Sequence, residues 1–251
     1  MNKYKKLLFL MVVSLIMLNT GCSNMALTTD QKVEQAFEKH LSIYPVKSLE
    51  DFYEMEGFRD EEFEKDDKGT WMLNSSISNQ SEEDGALITQ GIVLYLDRNN
   101  KMGKGYYSYT KFYDEFGKDE KITYKIEMKN NQIYLTDKAN NDVKKFVENF
   151  RFLVQDEKFG ELSKFKKIDT IYTSNVPLYT SEYKLDKNNE INRWVQKQYN
   201  VKEKDAALYL EGTGSLKGSS TGDFFFEIRY SKPKEKEQYF SESITYQPSR
   251  R

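Results

Sequence analysis

At 251 residues, with 38 basic and 40 acidic side chains and a formal net charge of −2, the chain can bury a sizeable core and carries no general basic field for nucleic acid. One cysteine excludes an intrachain disulfide framework, a cysteine-based zinc site and a thioredoxin-type pair, and one histidine excludes a multi-histidine metal centre. Hydrophobic residues make up only 38% of the chain, but 18 Tyr, 16 Phe and 2 Trp supply large buriable areas, and 4 Pro and 13 Gly argue against a disordered low-complexity chain.

The chain opens with MNKYKKLLFLMVVSLIMLNTGC. Lys3, Lys5 and Lys6 precede an apolar run from Leu7 to Leu18, broken only by Ser14, and small or polar residues then lead to Gly21-Cys22. This is the layout of a secretory signal, and the run is too short to span a bilayer, which takes roughly 20 residues. Leu18, Thr20, Gly21 and Cys22 resemble a lipobox, with Asn19 where the usual pattern has Leu. The only cysteine of the chain falls at this junction. Residues 1–21 are therefore read as a lipoprotein signal peptide, and Cys22 as the site of N-acyl and S-diacylglyceryl lipidation. Removing residues 1–21 takes away three lysines and no acids, so the mature net charge is −5.

Residues 22–29 read as a lipidated tether. Beyond it, Thr29 or Asp30 can cap a helix through about Ser42, with Val33, Phe37, Leu41 and Tyr44 at helical spacing and Pro45 ending it. Ser48-Leu49-Glu50-Asp51 resembles a capping box for a second short helix, with Phe52 and Met55 inward and Gly57 as terminator. The period then changes. Strands are expected at 71–78, 87–96, 103–112, 121–128 and 132–136, with hairpins at Asp97–Met102 and Asn130-Asn131. A third helix is expected over 141–155 on the stripe Val143, Phe146, Val147, Phe150 and Leu153. Strands at 165–172 and 177–185, a helix at 190–199 and strands at 206–214, 223–230 and 238–246 complete the chain. No βαβ alternation occurs and hairpins dominate. The expected class is α+β: a mostly antiparallel sheet with a few helices packed on it, N-terminal helices first. Residues 30–251 read as one domain. Two subdomains, about 30–138 and 139–251, are the alternative, though no Pro/Ser-rich linker separates them.

Catalytic and ligand motifs are weak. The acidic stretch Arg59–Lys68 offers carboxylates to Ca²⁺, but its interspersed cations favour a solvated loop anchored by Phe63. Asp97–Gly103 begins like a calcium loop, yet glycine stands at the seventh position and Ser108 at the twelfth, so a hairpin turn is expected. Gly212–Ser220 reads Lys-Gly-Ser where a phosphate loop has Gly-Lys-Ser/Thr, and a strand follows it. His40 is the sole imidazole base, placed near a helix end where a protonated ring suits the dipole. Tyr106, Tyr107, Tyr109 and Tyr113, with Lys104 and Lys111, fit cross-strand packing better than an exposed binding face. No catalytic, cofactor-binding or metal-ligating residue is assigned.

Two blocks carry a family resemblance. SLEDFYEMEGFRDEEFEKDDKGTW, Ser48 to Trp71, and GIVLYLDRNNKMGKGYY, Gly91 to Tyr107, resemble the staphylococcal tandem lipoproteins, also called lipoprotein-like or DUF576 proteins. The resemblance implies a non-enzymatic surface lipoprotein of a Gram-positive bacterium, held by its lipid on the extracytoplasmic face of the cell membrane. It also implies a role in host-cell internalisation and in innate immune stimulation, with a host surface protein or innate immune receptor as partner and no nucleic acid. Within the first block Leu49, Phe52, Phe58, Phe63 and Trp71 read as core, with Gly57 and Gly69 as turns. The alternative function is an extracytoplasmic binding or hydrolytic protein for cell-wall fragments, whose aromatics would stack on sugars in a concave, carboxylate-bearing pocket.

Overall fold

The computed structural model describes residues 27–59, 62–81, 83–115, 117–173, 175–216, 222–230 and 237–249. Cys22 and the leader lie outside the described residues.

Among the described residues ten antiparallel strands form one sheet. They are β1 Thr70–Gln80, β2 Leu87–Asp97, β3 Met102–Phe112, β4 Glu120–Lys129, β5 Gln132–Leu135, β6 Lys166–Thr173, β7 Leu178–Leu185, β8 Ala206–Thr213, β9 Phe224–Tyr230 and β10 Gln238–Gln247. Their spatial order is β5-β4-β3-β2-β1-β10-β9-β8-β7-β6. Two five-strand meanders are thus joined where the first strand pairs with the last, in a register running from Thr70↔Gln247 to Asn79↔Gln238. Alternation explains the pairing. Leu73, Ser75 and Ile77 of β1 face the same way as Ile244, Glu242 and Phe240 of β10.

Among the described residues three α-helices lie on that inner face. Helix α1, Thr29–Leu41, begins one residue earlier than its sequence suggests, because Thr28 and Gln31 form a reciprocal capping box. It buries Val33, Phe37 and Leu41 and sets the Phe37 ring 5.1 Å from Tyr179 of β7. Helix α2, Asn141–Asn149, places Phe146 5.2 Å from Tyr107 of β3. Helix α3, Glu190–Tyr199, sets Trp194 5.8 Å from Phe240 of β10. Asn192 of α3 is fully buried and satisfied: its amide donates to the carbonyls of Asp186 and Lys204, and its oxygen accepts from the Tyr230 hydroxyl.

Two helix expectations change. The segment after the Ser48 capping box is a 3₁₀ turn, Leu49–Tyr53, that stops at Glu54, so Gly57 terminates nothing. Gly57 instead makes room for Tyr246, whose Cγ would lie 2.3 Å from a Cβ at that position. The helix expected over 141–155 ends at Asn149. Phe150 turns extended, and Leu153–Gln155 form a separate 3₁₀ turn. The cause is distant in sequence. The carboxylate of Glu242 on β10 accepts from the backbone N–H groups of Leu153 at 2.8 Å and Val154 at 3.1 Å, so these amides leave the helical ladder.

Candidate functional site

The two resemblance-bearing blocks meet at one end of the sheet. Arg98, in the β2–β3 turn, donates to the carbonyls of Tyr53 (3.3 Å) and Lys68 (2.6 Å) and to the hydroxyl of Tyr246 (2.6 Å). Asn99 accepts from Lys68 N–H and donates to Asp67 and Ser249. Around them Phe52, Trp71, Tyr246 and Phe63 form a ring stack, with Phe63 over Tyr246 at 5.2 Å. Leu49, Phe52 and Trp71 are core, as expected of the first block, and Gly69 turns at φ +75°. Phe58 is not core: it is 41% exposed, because the chain passes over Tyr246 at Gly57 and turns outward. The polar groups of this region are spent on one another, and the region is a clamp.

The charged loops resolve the same way. Arg59 donates to the Glu64 carbonyl and lies 5.1 Å over the Phe63 ring. Burial acts to raise Asp67, but bonds from Asn99, Gly69 and Ser249 hold its carboxyl down at about 2. Among the described residues no group of three or more His, Cys, Asp and Glu side chains is placed to hold a metal ion. Asp97 caps its own turn, accepting from Asn99 N–H (2.8 Å) and the Asn100 amide (2.6 Å), and Lys101 takes φ +51°; this is the expected hairpin. Gly212 and Thr213 end β8, and Thr213 pairs with Asp223 at the start of the β9 segment; residues 217–221 lie outside the described ones.

His40 is not a dipole-stabilised cation. Its ring stacks on Phe224 at 4.7 Å and 13°, and burial first, then the Lys39 charge, push its pKa down to about 4. The imidazole is neutral at neutral pH. Glu242 is the opposite case, an acid 1% exposed in the middle of the sheet. Burial raises it to about 7 against the bonds from Leu153 and Val154, and the hydroxyls of Tyr44, Ser75 and Tyr199 surround it without completing well-formed hydrogen bonds.

The tyrosine cluster divides by strand alternation. Tyr106 pairs with Val93 and Lys125 on the outer face, and Tyr113 lies past the strand end beneath the Lys111 ammonium. Tyr107 and Tyr109 face inward. There they line a cleft of about 450 Å³ with Gln90 of β2, Ile122 and Tyr124 of β4, and Asn140, Asp142, Val143 and Phe146 at the start of α2. Helix α2 is only nine residues long and leaves this part of the inner face open. The period-two spacing of Tyr107 and Tyr109 was visible, but their neighbours come from three other elements.

A family model described as the Csa1 family, DUF576, matches residues 29–249. The chain belongs to the Csa1 family. Its relatives include an uncharacterized lipoprotein of Staphylococcus epidermidis strain ATCC 12228, 38% identical over 242 residues and covering 94% of each chain. Another, an uncharacterized lipoprotein of Staphylococcus aureus strain USA300, is 38% identical over 248 residues, covering 97% of this chain and 95% of the relative. Among solved structures, LprF from Mycobacterium bovis aligns with 88% of this chain and 95% of its own at 5% identity and a TM-score of 0.43. The Csa1-family match spans both sheet halves and all three helices, and none of these names indicates an enzymatic activity. Among the described residues no helix is long and apolar enough to cross a membrane.

Proposed function

We propose that this Csa1-family chain is a membrane-anchored surface lipoprotein of a Gram-positive bacterium, and that residues 30–251 act as one non-enzymatic interaction domain. The carrying observation is near full-length similarity to proteins named lipoproteins in two staphylococcal species, joined to a sole cysteine, Cys22, at the end of a leader. In this reading cleavage before Cys22 and acylation place the domain on the extracytoplasmic face. Each buried CH₂ contributes about 0.8 kcal/mol, and two or more acyl chains hold stably where one does not. The tether ends at the Thr28 cap, so residues 23–28 reach about 20 Å and the domain stays near the membrane. Its partners are a host surface protein, contacted by the domain during internalisation, and an innate immune receptor that reads the lipid.

The test compares wild type with Cys22→Ala by labelling with a palmitate analogue and by membrane fractionation. Wild type incorporates the label and pellets with membranes, whereas the variant takes up no label; incorporation of the label by the variant refutes the anchor at Cys22. Saturable binding of the lipid-free domain to host cells supports the interaction role. Activity that resides wholly in the lipidated form assigns that role to the lipid.

A further inference from the structure

The cleft between the sheet and the start of α2 has the chemistry of a sugar site. Its floor is Tyr107, 3% exposed, with Phe146 at 5.2 Å and Tyr124 at 6.3 Å. Tyr109 and Ile122 extend the apolar wall, and Ile122 is 50% exposed. Ile122, Tyr109 and Tyr124 are core-type residues on the inner face that the helix layer leaves partly uncovered, whereas Tyr107 beneath them is closed off by Phe146.

The polar groups decide the ligand. Gln90 accepts from the Tyr107 hydroxyl at 3.3 Å through its oxygen, which leaves its NH₂ without a protein partner among the described residues. Asn140 spends its oxygen on Val143 N–H at 2.9 Å as the helix cap, so its NH₂ is open as well. The hydroxyls of Tyr109 and Tyr124 and the carboxylate of Asp142 make no hydrogen bond to the described residues. The cleft therefore combines flat rings with two amide donors, two phenols and one acidic acceptor.

Among the described residues no Lys or Arg lines the cleft, and Asp142 repels anions, so phosphates and acidic peptides do not fit. An acyl chain would leave the amides and the carboxylate desolvated without partners. An organic cation would satisfy Asp142 but would face two amide NH₂ groups that offer it only positive dipole ends. A neutral pyranoside satisfies the whole set. Its hydroxyls both donate and accept, and the C–H bonds on its flat face are drawn to the negative face of a tyrosine ring. Equatorial hydroxyls leave such flat C–H faces free, and the volume lies within the range of small-ligand sites.

The geometry points to a binding site for a short neutral pyranoside with equatorial hydroxyls, stacked on Tyr109 and Tyr124 and hydrogen-bonded by Gln90, Asn140 and Asp142. The site stands independently of the lipid anchor. It adds a small-molecule ligand to the interaction domain proposed above.

The test uses the lipidated full-length protein in a non-sugar detergent, with cellobiose and N,N′-diacetylchitobiose as probes. Saturation-transfer NMR on wild type shows binding of at least one probe at millimolar concentration, with the axial ring protons receiving the most saturation. Tyr109→Ala and Tyr124→Ala each weaken binding about tenfold, the loss expected for one stacked ring. Asp142→Asn weakens it about threefold while leaving the thermal unfolding temperature unchanged. The leaderless chain, which carries no lipid, binds like wild type, which separates failure of this site from failure of the anchor. No transfer to either probe overturns the assignment. So does binding that survives both tyrosine variants, and so does displacement of the disaccharide by tetramethylammonium, which would make the cleft a cation site.

Discussion

Glu242 and His40 carry opposite pH dependences that nearly cancel, and single substitutions expose each. Glu242 is raised from 4.5 to about 7 by burial, opposed by bonds from Leu153 and Val154. Below pH 4.5 both folded and unfolded chains hold the proton. Between about 4.5 and 7 only the unfolded chain releases it, so stability falls as pH rises. At about 1.4 kcal/mol per pKa unit the loss is about 3 kcal/mol. His40 is lowered from 6.5 to about 4, chiefly by burial and then by Lys39. Its contribution is present above pH 6.5 and lost as pH falls toward 4, again by about 3 kcal/mol. Wild type is therefore nearly flat from these two groups over that window. Glu242→Gln keeps the shape but sets an NH₂ against one of the two backbone donors, a pH-independent cost of about 1–2 kcal/mol relative to the protonated acid. Its stability then rises by about 3 kcal/mol from pH 4 to pH 7, because His40 is unopposed. His40→Phe keeps the ring on Phe224, and its stability falls by a similar amount over the same window. Urea titrations of the leaderless chain across this range give each profile. A difference between wild type and Glu242→Gln that is independent of pH refutes the reasoning.

Gly57→Ala forces the Tyr246 ring from its seat, since the new Cβ would lie 2.3 Å from Cγ; unfolding free energy falls by about 1–3 kcal/mol in the same titration. Asp156 binds Arg151 through a fork of bonds at 2.7–3.0 Å and accepts from the Trp194 indole at 3.0 Å. Burial acts to raise its pKa, but the Arg151 and Trp194 bonds prevail and hold it below the ordinary carboxylate range. Asp156→Asn accordingly costs about 1–2 kcal/mol at neutral pH, a difference that closes as acid protonates the wild-type group.

The strands were legible because each is written with period two and separated by turn residues. Asn130 and Asn131, both at positive φ, are the clearest case. What could not be read was any feature set by a partner far along the chain. Glu242 lies in the sequence SES, which looks like an outward face, yet it is the anchor that ends α2 and redirects Phe152–Gln155. The apolar stripe Val143 to Leu153 fits a longer helix equally well, so periodicity alone favours the wrong end point. The cleft was illegible for the same reason. The alternation of β3 puts Tyr107 and Tyr109 on one face, and the β2–β3 hairpin sets Gln90 opposite Tyr109, but only the register Tyr107↔Tyr124 and the placing of α2 bring Tyr124 and Asp142 beside them.

The clamp at the sheet end depends on the shape of Arg98 as much as on its charge. Three acceptors from three segments, Tyr53, Lys68 and Tyr246, converge on one guanidinium, while Tyr246 also donates to the Lys68 carbonyl. A planar fork with separated N–H groups meets them all; a lysine ammonium on a flexible stem is a point charge and cannot span them. Arg98→Lys preserves charge, so a loss there reports geometry. Two unmet acceptors at about 1 kcal/mol each give an expected cost of about 2 kcal/mol. The loss is local. The amides of Gly69 and Ser249, which donate to Asp67, gain hydrogen-exchange rate, whereas those of β8 and β9 keep theirs. If Arg98→Lys retains wild-type stability and exchange at Gly69 and Ser249, the fork does not hold the two blocks together, and charge alone or the Phe63–Tyr246–Trp71 stack does.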